Sequence, residues 1–427
     1  MRVRNSISTF SESQNLTSIG RFILSCAALI LVALLFLPVL AFAQEDTLIL
    51  LGTNTDVLNT YAVSAYNKHA FVTGTGLWIS VINYSVPTLP TKITQYTGSA
   101  YDIEIKDTLA YYVLDNDFGF HIRDISDPLE SQVVGSCYGF WHGFRVHLFD
   151  TLALLMHRTA IEYCLLEIID ISDPTDPQVL STIDPPPYGT MHFGDAYKKD
   201  NYVYWVDHAY IEEPWEEVGR IIVFDITDPT QPVQIVSDTC LQARPNAIWI
   251  KDNYAYVVET FGGRGLVVFD ISDPYNIDSV GCFPIPEGGA WNVYIKGSYA
   301  YVCTHRLYVL DISDPADPSL VTYYNTPEIP NYVFVDPPYV LVGCYSSFLV
   351  FEASFLKDIP GDVNGDGEVD LGDVLFLVSY LYKQGPAPEP IERGDVNGDC
   401  VIDLGDVLYL VSYLYKHGPA PQNGCAL

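Results

Sequence analysis

The sequence predicts an all-β ring, a seven-bladed β-propeller, followed by a small α-helical module, and three observations carry that prediction. One five-residue phrase recurs through most of the chain at intervals of 41 to 55 residues. Each copy is accompanied by strand-like runs separated by turn residues. Two acidic twelve-residue loops near the C-terminus each lead into an apolar run of helical length.

Composition sets the outer bounds. Of 427 residues 49% are hydrophobic and only 17% charged, which excludes a disordered or collagen-like chain and supplies ample core. Tyr is abundant at 31 and Met scarce at 3, a skew that suits strands. With 53 acidic against 21 basic residues the formal charge is −32. That balance disfavours nucleic acid and anionic membrane surfaces, which need Lys and Arg, and favours cations as partners.

The first 43 residues read as an export signal rather than fold. Arg2, Arg4 and Arg21 precede an uncharged apolar run from Phe22 to Ala43, closed by Ala41-Phe42-Ala43 before polarity resumes at Gln44-Glu45-Asp46. Left uncut, the run would be long enough to span a bilayer. Cleavage after Ala43 would leave a secreted or cell-surface chain with no membrane segment and a charge of −34. Eight Cys would remain, an even number that permits disulfides without assigning them.

The recurrent phrase is Asp124-Ile125-Ser126-Asp127-Pro128, repeated in the same residue types from Asp170, Asp270 and Asp311, and with Thr for Ser from Asp225. Degenerate copies stand at Asn83-Tyr84-Ser85-Val86-Pro87 and Glu352-Ala353-Ser354. Asp can hold nearby backbone amides, while Pro fixes φ and lacks a ladder donor, so the phrase reads as a turn rather than a metal site. In the sixth copy the strand runs are Trp291 to Ile295, Tyr299 to Cys303, Leu307 to Ile312 and Leu320 to Tyr324. Four short strands per roughly 40–45 residues is the pattern of a propeller blade. The seventh copy stops before a fourth strand, and Thr47 to Gly52 resembles the fourth-strand segments elsewhere. The N-terminal strand is therefore expected to complete the last blade and close the ring.

These repeats resemble the LVIVD-repeat family of exported β-propellers, whose blades carry phrases such as Val223-Phe224-Asp225-Ile226-Thr227-Asp228-Pro229. The resemblance implies the fold over about residues 47–354 and is nearly silent on chemistry.

Residues 362–373 and 395–406 are loops of the EF-hand type. Side-chain oxygens stand at positions 1, 3, 5, 9 and 12, with a backbone carbonyl expected at 7, a set that turns hard donors toward one Ca²⁺. The first loop offers Asp362, Asn364, Asp366, Asp370 and Asp373, with Glu368 supplying the carbonyl. The second offers Asp395, Asn397, Asp399, Asp403 and Asp406, with Val401 supplying it. Helices are expected from Val374 to Lys383 and from Val407 to Lys416, each running into Gly-Pro-Ala-Pro. One helix per loop, duplicated in a short segment, resembles the type I dockerin domain. The resemblance implies two bound Ca²⁺ and docking to a cohesin domain on a partner protein. So small a core would draw much of its folding energy from metal.

The module departs from the family pattern twice. Position 6, usually Gly, is Cys400 in the second loop. Its expected pairing with Cys425 would tie the tail to the loop, the alternative being two free thiols. Loop positions 10 and 11, Ser-Thr in many dockerins, hold Leu371-Gly372 and Leu404-Gly405. That points to a divergent cohesin or to docking within the chain. Later contact candidates are Val378, Ser379 and Lys383, mirrored by Val411, Ser412 and Lys416.

In the propeller, blades aligned at Asn67, Asp107, Asp150, Asp200, Asp252, Gly297 and Asp336 place His142, His192 and Arg244 at one equivalent position of three successive blades. Asp102, Arg145, Asp195, Asn292 and Asn331 occupy another. Two readings stay open: a ligand or metal site at one channel mouth, or polar residues that satisfy one another in a wet channel. No nucleophile elbow, HExxH or phosphate loop is present in the sequence, and no carboxylate pair stands out. The expected domains are a signal at 1–43, the propeller at 44–354, a linker at 355–360 and the calcium module at 361–427. The function expected is a binding, adhesion or scaffold propeller, taking an unknown ligand or glycan, attached by its module to an extracellular assembly. The alternative is a glycoside hydrolase or accessory subunit of a polysaccharide-degrading complex.

Overall fold

The computed structural model describes residues 48–426 except 75–77, 115–118, 140–141, 159–163, 185–193, 213–214, 242, 261–263, 287–288, 357–358, 389–390, 417 and 423. The apolar run from Phe22 to Ala43 and His192 lie outside the described residues. The described strands form seven four-stranded antiparallel sheets, the blades of a propeller. In chain order the first six span 60–97, 100–138, 143–183, 195–241, 244–283 and 292–324. Blade seven contains Pro330–Asp336, Tyr339–Cys344, Phe348–Ala353 and, on its outer edge, Leu48–Asn54. Leu48 opposes Ala353 and Asn54 opposes Phe348, so strands from both ends of the ring share this sheet. Blade four departs from its neighbours by a long central hairpin, Tyr202–Glu212 paired with Trp215–Asp225.

Burial explains why the strands read differently. Central strands are covered by adjacent blades on both faces and are mostly apolar; Ala70, Phe71 and Val72 are all buried. Outer strands face solvent on one side and alternate, as Thr91–Thr97 does. Apolar residues of neighbouring blades interdigitate between the sheets: Phe71, Ile79 and Val81 of blade one pack in one cluster with Tyr112 and Leu114 of blade two.

The recurrent phrase makes two side-chain turns in tandem. Asp124 Oδ1 accepts the Ser126 amide at 2.9 Å and Asp127 Oδ1 accepts the Leu129 amide at 2.8 Å. The same pair recurs at Asp170/Asp173 and at Asp225/Asp228. The phrase is also an inter-blade latch. The proline carbonyl at its end abuts the outer strand of the preceding blade: Tyr96 Oη donates to Pro128 O, and Ser181 Oγ donates to Pro229 O at 2.7 Å. Where the outer strand has glycine the approach is closer still. A Cβ on Gly135 would stand 2.0 Å from Pro174 O, and one on Gly281 2.3 Å from Pro315 O.

One register in the sequence alignment is corrected. Asp336 pairs with Tyr339, so the turn of blade seven is Pro337-Pro338 and not Asp336. Tyr332, rather than Asn331, therefore occupies the position of Asp102, Arg145 and Asp195. Asp336 is instead drawn toward blade one, where its Oδ2 accepts from Lys68 Nζ at 2.6 Å and from Tyr84 Oη at 2.8 Å.

After blade seven a short 3₁₀ turn, Ser354–Leu356, packs back on the propeller: Leu356 is buried and the Phe355 ring lies 4.7 Å from that of Tyr299. The module follows with helices α1 (Leu371–Lys383) and α2 (Leu404–Lys416), each one turn longer at its start than the sequence suggested. Asp370 caps α1, accepting the Gly372 amide at 2.6 Å, and Asp373 completes a capping box. The module's small core joins Val363, Val374 and Leu377 to Val396, Val407 and Leu410. Among the described residues no helix is long and apolar enough to cross a membrane.

Candidate functional site

Both acidic loops curl around their own carboxylates in the same way. Asp362 accepts the amides of Asp366 and Gly367, each at 3.0 Å, and Asp395 accepts those of Asp399 and Cys400 at 3.0 and 2.9 Å. At the far end Asp373 accepts the amides of Val363, Asn364 and Asp370, and Asp406 those of Asn397 and Asp403. Asn364 and Asn397 each accept the amide two residues on, and Asp366 and Asp399 accept those of Glu368 and Val401. The chirality of the turn falls on Gly365, Gly367 and Gly398, all at positive φ.

Four of these carboxylates, Asp362, Asp373, Asp395 and Asp406, have no solvent exposure at all. Burial raises the carboxyls of Asp362 and Asp406 and pushes Asp373 to about 6, against the opposing pull of the amides they accept. One basic group beside the first loop is Arg393, whose Nη1 lies 4.0 Å from Asp362 Oδ2. Buried carboxylates massed at this density call for a cation to share them. The donor set is all oxygen, matching Ca²⁺ rather than a softer metal.

Cys400 adopts φ 67°, a left-handed conformation that costs a non-glycine residue about 1 kcal/mol or more. It is joined to Cys425 by a disulfide, with the Cα atoms 4.6 Å apart. The bridge brings the Cys425 amide to 2.8 Å from Asp395 Oδ2, a third backbone donor on the first acidic residue of that loop.

On the outer side of the helices one apolar stripe repeats. Leu371, Leu375 and Tyr382 of α1 are 49%, 58% and 61% exposed, and Leu404, Leu408 and Tyr415 of α2 are 49%, 58% and 60% exposed. Val378 and Val411 stand between these residues at helical spacing but are partly buried against the module's core, with Lys383 and Lys416 at the helix ends.

His142 is exposed at a turn and its carbonyl accepts the Arg158 amide, while Arg244 begins the inner strand of blade five, where its carbonyl accepts from Thr260 Oγ1. Asp102, Arg145 and Asp195 instead form a buried cluster with two residues that sequence reasoning missed, Glu104 and His147. His147 Nδ1 lies 2.8 Å from Glu104 Oε1 and its Nε2 3.0 Å from Asp195 Oδ1, with Arg145 Nε 3.9 Å from the same oxygen. Asp102 also accepts the Val146 amide of blade three, and Asp195 the Ile248 amide of blade five, so the cluster stitches blades two to five together. The missed signal is period two: Glu104 and His147 lie two residues beyond Asp102 and Arg145, on the same face.

Burial opposes charge on His147, but Asp195 and Glu104 outweigh it and hold the imidazole protonated well above its usual range. Burial likewise opposes ionisation of Asp195, yet His147 and Arg145 keep its carboxyl below the ordinary value. Asp102, with weaker compensation against the same burial, is raised to about 6. At the level of His147 the axis is lined by one ring per blade, Tyr197, Trp249, Tyr294 and Phe334, with successive centroids 4.7 to 5.4 Å apart.

Comparison with known proteins agrees with this architecture. The model of the dockerin type I domain matches residues 360–415, and that of the LVIVD repeat matches 97–138, 165–184, 245–281 and 287–326. No curated protein matches the chain. Among solved structures, the computationally designed Ika8 protein is similar at 11% identity and TM-score 0.51, covering 72% of this chain and 99% of its own. The WD40 β-propeller domain of Doa1 is similar at 9% identity and TM-score 0.55, covering 72% and 97%. The β-propeller domain of Cps50 (Swd1) from Myceliophteria thermophila is similar at 10% identity and TM-score 0.53, covering 71% and 100%. At such identities the likeness concerns the fold alone. Type I dockerin domains bind calcium, occur in extracellular proteins and typically bind cohesins. The chain thus carries LVIVD repeats in a seven-bladed β-propeller and, at its C-terminal end, a type I dockerin domain.

Proposed function

We propose that this is a secreted attachment protein, in which the calcium module (361–427) plugs into a cohesin-like domain of an extracellular assembly and the propeller (44–354) is the binding or scaffold unit it presents. Export would use residues 1–43, and residues 355–360 join the two parts. The module would hold two Ca²⁺, one by Asp362, Asn364, Asp366, Asp370, Asp373 and the Glu368 carbonyl, the other by Asp395, Asn397, Asp399, Asp403, Asp406 and the Val401 carbonyl. The ion supplies the positive charge that lets each set of carboxylates stay together; the chain supplies a rigid frame for α1 and α2.

The observation that carries the reading is the duplicated stripe. Leu371, Leu375 and Tyr382, matched by Leu404, Leu408 and Tyr415, remain open to solvent although the opposite faces of both helices are buried. Exposed apolar stripes rimmed by polar residues mark protein interaction surfaces. A hydrolytic role would need two carboxyls poised across a bond. The buried carboxylates at the axis are instead engaged by amides and cations, Asp102 by Val146, Glu104 by His147 and Leu148, Asp195 by His147, Arg145 and Ile248.

The test is affinity capture from culture supernatant on the full chain, in calcium and in chelator, beside a Leu375→Asp/Leu408→Asp variant. Recovery of a cohesin-bearing protein in calcium only, and its loss with the variant, is expected. Equal capture by chelated or variant protein would overturn the reading.

A further inference from the structure

We propose that the turn end of blades six and seven is a docking surface for the module's own first calcium loop, and that calcium in this loop holds module and propeller together. This rests on the calcium reading above and goes beyond it, because the partner is intramolecular.

The contact is built from backbone fit and one ion pair. Gly297, at the hairpin turn of blade six, meets Gly367 at loop position 6 so closely that a Cβ on Gly297 would lie 2.6 Å from the Gly367 carbonyl. A Cβ on Gly367 would lie 2.9 Å from Pro337, in the turn of blade seven. Lys251 of blade five fixes this turn from the other side, donating to Gly297 O at 2.7 Å. Beside the contact, Lys296 Nζ stands 3.8 Å from Glu368 Oε1. Burial raises the phenol of Tyr294, with Glu104 and then Glu368 adding to the effect.

Only the first loop fits. The residues at positions 6 and 7 are Gly367-Glu368 there and Cys400-Val401 in the second loop, where the thiol is already joined to Cys425 and position 7 has no charge for Lys296. The coupling to calcium follows from position. Glu368 is the residue whose carbonyl would be the position-7 donor to Ca²⁺, so a filled loop would fix the direction of its side chain. In the unfilled loop the repulsion of Asp362, Asp366, Asp370 and Asp373 loosens the frame that carries Gly367 and Glu368. The contact leaves a cleft of about 1110 Å³ between the bodies, edged by Trp249, Tyr254, Phe355 and Tyr413, a geometry suited to reversible docking. It also leaves both apolar stripes equally exposed, so a docked module can still take an external partner.

The test uses the full chain. Small-angle scattering and amide exchange are measured in calcium and in chelator, for the native protein, Lys296→Glu and Lys296→Glu/Glu368→Lys, with calorimetry recording bound calcium in parallel. Chelation is expected to raise the radius of gyration and to speed exchange at the Gly297-Ser298 turn by about tenfold. Lys296→Glu should reproduce that state in calcium, and the charge-swapped double variant should return to the compact form. Bound calcium with identical scattering and exchange in both conditions would overturn the docking alone. No bound calcium would overturn it together with the reading of the loops.

Discussion

The imidazole of His147 is held between two carboxylates of neighbouring blades, Nδ1 at 2.8 Å from Glu104 and Nε2 at 3.0 Å from Asp195. Its folded-state affinity for a proton is raised, so the stability it contributes is fully present below the free-histidine value near 6.5 and is lost as pH rises through the folded value. His147→Gln should cost about 3–5 kcal/mol at pH 6, as the loss of one partner from a buried ion cluster does. The deficit should shrink as pH rises, read from paired denaturant melts. A deficit independent of pH would mean the ring is held neutral.

The Cys425 amide bonded to Asp395 makes the disulfide a support for the second calcium loop. Reduction, or Cys425→Ser, should weaken calcium at the second of the two proposed sites by about 10–100-fold and leave the first unchanged. Calorimetric titration of oxidised and reduced protein checks this, and identical isotherms would count against it.

Asp373 and Asp406 each close a loop with amides at both ends, and each ends a set of oxygen donors. On the proposed reading of one Ca²⁺ per loop, Asp373→Ala should remove one ion and release the first loop, whereas Asp406→Ala should do so for the second. Helical circular dichroism at 222 nm, followed through a calcium titration, should show half the native change for each.

Gly135 sits where a Cβ would meet the Pro174 carbonyl of the next blade. Gly135→Ala should therefore push blades two and three apart and cost about 1–3 kcal/mol, as overpacking does. Gly139, with open space where its Cβ would stand, provides a control for packing, though its φ of 110° strains any other residue there. Thermal melts of both variants separate the clash from backbone strain.

Much of the fold was legible in residue order. Side-chain period, Asp-Pro turns and the spacing of copies are local properties, and they announced four strands per blade, seven blades and a duplicated loop–helix module. The alignment failed by one residue at Asp336, since the last hairpin turns at Pro337-Pro338 and Asp336 meets Lys68 and Tyr84 of the adjoining blade one. His147 escaped notice for a related reason. Period two placed it on the face of Arg145, but its partners Glu104 and Asp195 come from the blades before and after it.

The sequence by itself determined what repeats: the turn phrase, the strand rhythm and the oxygen donors of each loop, all encoded within a dozen neighbouring residues. Tertiary structure decided what each repeat touches. Closing the ring turned the proline carbonyls into latches on the preceding blade and gathered charged residues of successive inner strands into one buried cluster. It also set Gly367 against Gly297, a contact between residues 70 positions apart that only close approach of two glycine backbones allows.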